Sequence, residues 1–419
     1  MAEPTFLGSN INLVKMHNMQ AILLSLLYEK QISRVQLARK TSLSTTTITN
    51  LISELIEQGI VVEEGVQTAE APRSVGRPRT GLNLVPDARY AIGVHIGIGL
   101  IRVAVVNLLA EVLYNEIRYF DLQTPAEEVL RLISATIEEV IGCSRIARER
   151  ILGVGVGASG LVNFQTGVNL LAPNLQWHNV PILETLQTAL HLPVIVDNNV
   201  RAMALGEAFF GLGRGVDSLA FVYGRTGVGA GFVVAGKIFR GSNTGAGEIG
   251  HIILLPHGGK PCRCGKNGCL ETLVSETVIL EEAEKIVQRN PKGLLAQLWH
   301  DDKVQPIERV FNAARQGDVE TRRMIEEHAC YLGIALANLV NVLNPELIIL
   351  GGMFAQGHDL ILPTAACTMR ETAFAGLGEK VRVQTTSFGW RAGVIGASAL
   401  ALLRYFYQQG QTVSNNLLH

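Results

Sequence analysis

Residues 218–235 read Ser-Leu-Ala-Phe-Val-Tyr-Gly-Arg-Thr-Gly-Val-Gly-Ala-Gly-Phe-Val-Val-Ala. Two apolar runs, 218–223 and 230–235, flank Thr226-Gly227-Val228-Gly229. This is the pattern of a strand, a tight glycine turn and a second strand. The same order stands earlier in the chain, where runs at 90–96 and 101–107 flank Gly97 and Gly99. A third strand is predicted near 111–119, a helix around 125–141 and a further strand at 151–157. After the later copy, helical patterns lead to an apolar strand at 347–350 that runs into Gly351-Gly352. Two copies of one α/β unit follow. Such a duplication leaves a cleft between lobes, where a glycine turn from each half can approach the phosphates of a ligand.

The bulk composition suits that plan. The chain has 419 residues, 47% hydrophobic and 17% charged, with 43 glycines, enough for two or three compact units with many strand-to-loop turns. Formal net charge is −1, so any nucleic-acid contact must come from a local patch rather than a global basic field. The opening Met1-Ala2-Glu3-Pro4 has no signal-peptide pattern, and the long uncharged span 151–183 is interrupted by Asn163, Gln165, Pro173, Asn174 and Gln176. A cytoplasmic protein without a membrane partner is expected.

Ahead of the α/β repeat, apolar residues recur at helical spacing from Asn18 to Gly59 in three runs. The first holds Ile22, Leu23, Leu26 and Leu27. The second opens after Ser33 as N-cap and carries Val35, Leu37 and Ala38 before stopping near Thr41. The third follows Ser44 as N-cap, with Ile48, Leu51, Ile52, Leu55 and Ile56 on one stripe. Its opposite side carries Thr45, Thr46, Thr49, Asn50 and Ser53. A polar helix set a few residues after another is the helix-turn-helix plan, whose second helix enters the major groove. Thr46 and Asn50 are the leading base contacts, because hydroxyl and amide groups both donate and accept and a Thr methyl can meet a thymine methyl. The run Ile60-Val61-Val62-Glu63-Glu64 and, beyond a Gly/Pro/Arg-rich loop, Leu82-Asn83-Leu84 predict a two-stranded wing. Arg73, Arg77 and Arg79, near its tip in a Gly/Pro-rich segment, suit phosphate or minor-groove contact.

Three of the six cysteines, Cys262, Cys264 and Cys269, fall within eight positions, and His251 precedes them by ten intervening residues. One imidazole and three thiolates form the usual ligand set of a tetrahedral structural zinc, with no position left open for hydrolytic chemistry.

These residues resemble the ROK family (repressor, open reading frame, sugar kinase), over nearly the whole chain. The resemblance is carried by Gly247-Glu248-Ile249-Gly250-His251, by the cysteine segment ending in Cys269-Leu270-Glu271, and by Leu343-Asn344-Pro345-Glu346 leading to Gly351-Gly352. It implies an actin-like (ribonuclease H-like), two-lobed sugar-kinase fold, joined here to a winged helix-turn-helix similar to that of the family's repressor branch. It also implies zinc on His251, Cys262, Cys264 and Cys269, and a sugar pocket of Asn198, Asn199, Glu248, His251 and Glu271. His251 would then serve metal and sugar through its two ring nitrogens. Sugar kinases of this kind place a general base at the position of Asn199, and an amide has no usable basicity. Where their first phosphate turn reads Asp-Ile-Gly-Gly-Thr-Lys, this chain has His95-Ile96-Gly97-Ile98-Gly99-Leu100.

Three parts are thus expected. Residues 1–85 form the DNA-binding head; 86–205, with a C-terminal helix at about 390–410, form the first lobe; and 206–389 form the second lobe with the zinc loop. The expected function is a non-catalytic, sugar-responsive DNA-binding regulator, read as a repressor. Its partners would be operator DNA and a sugar or sugar phosphate, and it would act as a homodimer or homotetramer. The alternative is an active ATP-dependent sugar kinase that also binds DNA.

Overall fold

The computed structural model describes residues 11–65, 80–242 and 244–408. The chain opens with three helices, α1 (Ile11–Tyr28), α2 (Arg34–Thr41) and α3 (Thr45–Glu57), then a two-stranded antiparallel wing of β1 (Val61–Gly65) and β2 (Thr80–Leu84). Local chemistry sets these boundaries. Ser33 accepts from the Gln36 amide, and the Gln36 side chain answers the Ser33 N–H, closing a capping box at the start of α2. Ser42 ends that helix in the left-handed region, and Ser44 caps α3 by accepting from the Thr47 amide. Ile22, Leu37, Ile48, Ile52 and Leu82 are fully or almost fully buried where helices and wing meet.

The body contains two five-stranded sheets. In the first are β3 (Tyr90–Ile96), β4 (Leu100–Asn107) and β5 (Val112–Tyr119), then, after α4 (Ala126–Ser144), β6 (Ile151–Ala158). A small antiparallel sheet of β7 (Leu161–Asn163), β8 (Val168–Ala172) and β9 (Trp177–Pro181) follows. After α5 (Ile182–Leu190), β10 (Val194–Asn198) completes the first sheet, and α6 (Asn199–Phe210) leads out of it. The second sheet has β11 (Ser218–Gly224), β12 (Val228–Val234) and β13 (Lys237–Phe239). The helices α7 (Glu271–Val274), α8 (Glu276–Arg289), α9 (Leu294–Trp299), α10 (Pro306–Arg315) and α11 (Val319–Leu343) precede β14 (Leu347–Gly352). Next come α12 (Met353–Gln356), α13 (His358–Thr372), α14 (Leu377–Lys380) and β15 (Arg382–Thr385). The final helix, α15 (Ala392–Leu402), ends in a π-helical turn, Leu403–Tyr407.

The strand orders are β10-β6-β3-β4-β5 and β13-β12-β11-β14-β15. Each sheet has a central strand flanked on one side by an antiparallel hairpin and meander, and on the other by two parallel strands, so the duplication inferred from the glycine turns is a duplication of topology. Two buried helices lie between the sheets. Every residue of α15 is buried, as is Asn199 to Phe209 of α6. A side chain at Gly155 would place its Cβ 1.8 Å from the Ala397 carbonyl oxygen, so β6 tolerates only glycine where α15 crosses it. The helices themselves touch at Gly206 and Gly396, where a Cβ on Gly206 would lie 3.0 Å from the Gly396 Cα.

The structure departs from the sequence expectations in four places. The first helix begins at Ile11, well before the periodic run. Ile56 is 36% exposed beside buried Leu55, and Val35 of α2 is 55% exposed, so both lie off the buried stripes. Strand β12 starts at Val228, so the second glycine turn is confined to Arg225–Gly227, closed by the Arg225 amide donating to the Gly227 carbonyl. The three-stranded sheet 161–181 was not foreseen; its strands are only three to five residues long, too short for a period to register. Among the described residues no helix is long and apolar enough to cross a membrane.

Candidate sugar cleft and metal loop

The Gly-Glu-Ile-Gly-His segment lies on β12 because its glycines let backbone touch backbone. The Ala230 amide donates to the Gly247 carbonyl at 2.7 Å. Gly247 has φ +103°, and Gly250 would place a Cβ 2.2 Å from the Val228 carbonyl oxygen. This contact holds Glu248 and His251 beside the second glycine turn. Both are solvent-accessible, yet Glu248 has its pKa raised by loss of hydration, with His251 and Arg201 opposing the shift and Glu271 reinforcing it. Glu271, at the start of α7, accepts from the Val228 amide at 3.1 Å through Oε2.

From the opposite lobe come Asn198 and Asn199. Asn198 is the N-cap of α6: its Oδ1 accepts from the Val200 and Arg201 amides, and its Nδ2 donates to the Gly160 carbonyl at 2.9 Å. Asn199 is 8% exposed and donates to Ser159 Oγ at 3.2 Å. The position that would carry a general base is therefore an amide already engaged by a serine hydroxyl.

The first glycine turn joins β3 to β4, with the Gly97 amide donating to the Leu100 carbonyl. His95 sits at its base, paired across the sheet with Arg102. Its ring packs on Gly393 at the start of α15, where a Cβ would lie 2.6 Å from the imidazole. Nδ1 is buried without a hydrogen-bond partner. Burial, reinforced by the positive charges of Arg102 and Arg225, pushes the His95 pKa down to about 3. A neutral imidazole beside two arginines offers no acidic ligand for a divalent cation.

The ligand atoms of His251, Cys262, Cys264 and Cys269 lie within 4.8 Å of one another. His251 Nδ1 is 3.6 Å from Cys262 Sγ, and the Cys264 and Cys269 sulfurs are 3.7 Å apart. A tetrahedron with metal–sulfur bonds of about 2.3 Å and metal–nitrogen bonds of about 2.0 Å has edges of about 3.8 and 3.5 Å, so the donor set fits a metal of this type. The loop is shaped for it. Gly268 has φ +72°, and a Cβ there would lie 1.9 Å from the Leu255 carbonyl oxygen, while the Cys262 amide donates to the Lys266 carbonyl at 2.7 Å. With Nδ1 turned to the sulfurs, Nε2 of His251 is the nitrogen left for another ligand.

In the head, Thr45, Thr46, Thr49, Asn50 and Ser53 are all exposed. Thr49 turns its hydroxyl back to the Thr45 carbonyl at 2.8 Å. Arg34 braces the unit, pairing with Glu63 of the wing at 2.8 Å and donating to the Thr49 carbonyl at 3.3 Å. Arg73, Arg77 and Arg79 lie outside the described residues.

Five further residues, none of them assigned to the site from the sequence, join the two lobes beside the cleft. Asp197, with 0% exposure, binds Arg201 Nε at 2.8 Å through one oxygen, and through the other binds Arg240 from the second lobe at 2.8 Å. Asn174, beyond β8, accepts from Arg263 of the metal loop, so the small sheet of the first lobe meets the cysteine segment of the second. Only Asp197 and Arg201 left a trace in the sequence, four apart across a helix start.

Residues 91–404 match the ROK family and residues 17–62 match a winged helix-turn-helix DNA-binding family. A xylose repressor of Caldicellulosiruptor bescii is 32% identical, with the match covering 94% of this chain and 97% of the relative. A glucokinase of Halalkalibacterium halodurans is 34% identical over 74% of this chain and 94% of its own length. Among solved structures, a ROK family transcriptional regulator homologous to the E. coli MLC protein aligns with a TM-score of 0.76 and 29% identity, covering 92% of this chain and 97% of that one.

Proposed function

The chain belongs to the ROK family, and from that premise we propose that it is a sugar-responsive DNA-binding repressor whose kinase-like body holds a sugar without phosphorylating it. The observation that carries this reading is Asn199. It stands where the family's kinases need a base, and its amide is bonded to Ser159, while Glu248, Glu271 and His251 still line the cleft with groups that suit sugar hydroxyls. His95 supports the same conclusion, because it puts a neutral ring where an acidic residue would face the nucleotide's metal. Zinc on His251, Cys262, Cys264 and Cys269 would fold the loop and fix the His251 ring, leaving Nε2 for the sugar. Thr46 and Asn50 read bases from α3, with Thr45, Thr49, Ser53 and the wing arginines as supporting contacts. A two-fold assembly matches paired half-sites.

The test is operator binding at fixed salt, with and without each of a panel of sugars and sugar phosphates. Sugar is expected to release DNA, and Glu248→Ala to weaken sugar binding about tenfold or more, equivalent to about 1.4 kcal/mol. A panel without effect on operator affinity overturns the sensing half. The similarity to a glucokinase favours one competing reading, a DNA-binding sugar kinase. Robust ATP-dependent phosphorylation by the wild-type chain would establish it.

A further inference from the structure

Helix α6 begins in the sugar cleft and ends beneath the DNA-binding head. Its N-cap is Asn198, and its twelve residues span about 18 Å. Beyond its last turn the chain is clamped rather than loose. Buried Glu207 takes the Leu212 amide on Oε2 at 2.9 Å, its main-chain carbonyl takes the Gly211 and Gly213 amides, and Thr386 Oγ1 donates to its other oxygen. Residues 211–213 therefore move with α6. The next residue, Arg214, donates from Nη2 to the Leu27 carbonyl of α1 at 2.7 Å, and its guanidinium lies 5.3 Å over the Tyr28 ring.

That contact has a specific electrostatic meaning. The last carbonyls of a helix lack intrahelical partners and favour a cation, yet α1 has no basic residue in its last turn. The sensor body supplies one. A second path runs alongside: α15 starts against His95, crosses α6 at Gly206 and Gly396, and ends at Tyr407, whose ring meets Phe210 edge-on with centroids 6.2 Å apart. Tyr407 also donates to the Leu108 carbonyl at 2.7 Å.

We infer that Arg214 is a positioning residue through which occupancy of the sugar cleft at the start of α6 reaches the DNA-binding head. A ligand that draws on Asn198 or Asn199 shifts the cap of α6, the Glu207 clamp transfers that shift to Arg214, and Arg214 moves the end of α1, on which α2 and α3 pack. The inference rests on the sugar-sensing reading above.

Full-length wild type, Arg214→Gln, Arg214→Lys and Tyr28→Leu are compared on a duplex enriched by the wild-type protein from random-sequence DNA. The probes are D-xylose, D-glucose, N-acetyl-D-glucosamine and its 6-phosphate. Calorimetry reads sugar binding, and anisotropy reads duplex affinity with and without sugar. Arg214 is exposed, so its truncation leaves the core intact. Arg214→Gln is expected to bind sugar within about twofold of wild type and free duplex within about threefold, while losing most of the five- to 150-fold change in duplex affinity typical of such coupling. Arg214→Lys, which keeps the cation at the helix end, recovers part of the response. If Arg214→Gln and Tyr28→Leu both keep the wild-type response, the positioning role falls and the sensing reading stands. If wild type ignores every probe, the sensing reading falls and this inference with it.

Discussion

Arg240 donates through Nε and Nη2 to the same oxygen of Asp197, at 3.0 and 2.8 Å, and so ties the end of the hairpin β12–β13 to the strand that leads into Asn198 and Asn199. The other Asp197 oxygen holds Arg201, 1% exposed, whose remaining nitrogens donate to the Thr244 and Val162 carbonyls. The Arg240 guanidinium also lies 3.8 Å over the Phe164 ring. One buried carboxylate thus joins both lobes and the small sheet. Asp197→Ala leaves Arg201 charged and unpaired in the core and is expected to cost about 3–5 kcal/mol in denaturant unfolding. Arg240→Ala, which keeps the inner pair, should cost clearly less; equal costs would mean the inner pair is not the dominant contact.

The metal loop makes a stoichiometric prediction. Wild type should carry one zinc per chain by elemental analysis. Cys264→Ser alters an exposed ligand without touching the core, and should lose the metal and lower Tm by about 5 °C or more. Unchanged metal content in that variant would show that Cys264 is not a ligand.

A carboxylate placed at position 199 tests the proposal that the body does not phosphorylate its sugar. A missing base costs about 10²- to 10⁴-fold, and the first glycine turn lacks its acid as well. Asn199→Asp alone should therefore remain near background in a coupled phosphotransfer assay, with Asn199→Asp combined with His95→Asp measurably faster. Strong activity in the single variant would make Asn199 the sole block.

His95 sets a pH dependence. Its folded pKa, about 3, lies below the value of about 6.5 it would have unfolded, so the unfolded chain binds the extra proton. Its stabilisation is complete above pH 6.5 and is lost as pH falls toward 3. By pH 5 the loss is about 2 kcal/mol. Unfolding curves at pH 7 and pH 5 should converge by about that amount in His95→Gln relative to wild type; an unchanged gap would exclude the buried ring as its source.

On the DNA side, Asn50→Ala and Thr46→Ala should each weaken operator binding by about 1–3 kcal/mol while leaving affinity for random duplex nearly unchanged. Equal losses on both DNAs would turn these residues into backbone contacts.

Much of this architecture can be read from local pattern. The stripes of α2 and α3, the serine caps, the glycine turns and the His/Cys₃ spacing all act over fewer than about twenty residues; the caps stand where expected, while Val35 and Ile56 fall outside the buried stripes. What escaped depends on separation along the chain. Arg240 lies 43 residues from Asp197, Arg263 lies 89 from Asn174, and Arg214 lies 187 from Leu27. Nothing about an isolated arginine names its partner. Asn198 shows a subtler limit: it was expected to meet a sugar, and its polar atoms are already engaged by the cap of α6 and the Gly160 carbonyl, so any ligand must compete with a helix terminus for them.

The bond between Arg263 and Asn174 makes the cysteine loop part of the wall on both sides of the cleft. If the four side chains hold a metal, a ligand leaving that space would pass a rim that the metal stiffens. Residence time would then be governed by the metal loop. Two regulators with the same sugar affinity, one loaded and one stripped, would differ in how long each remembers the sugar after it has gone.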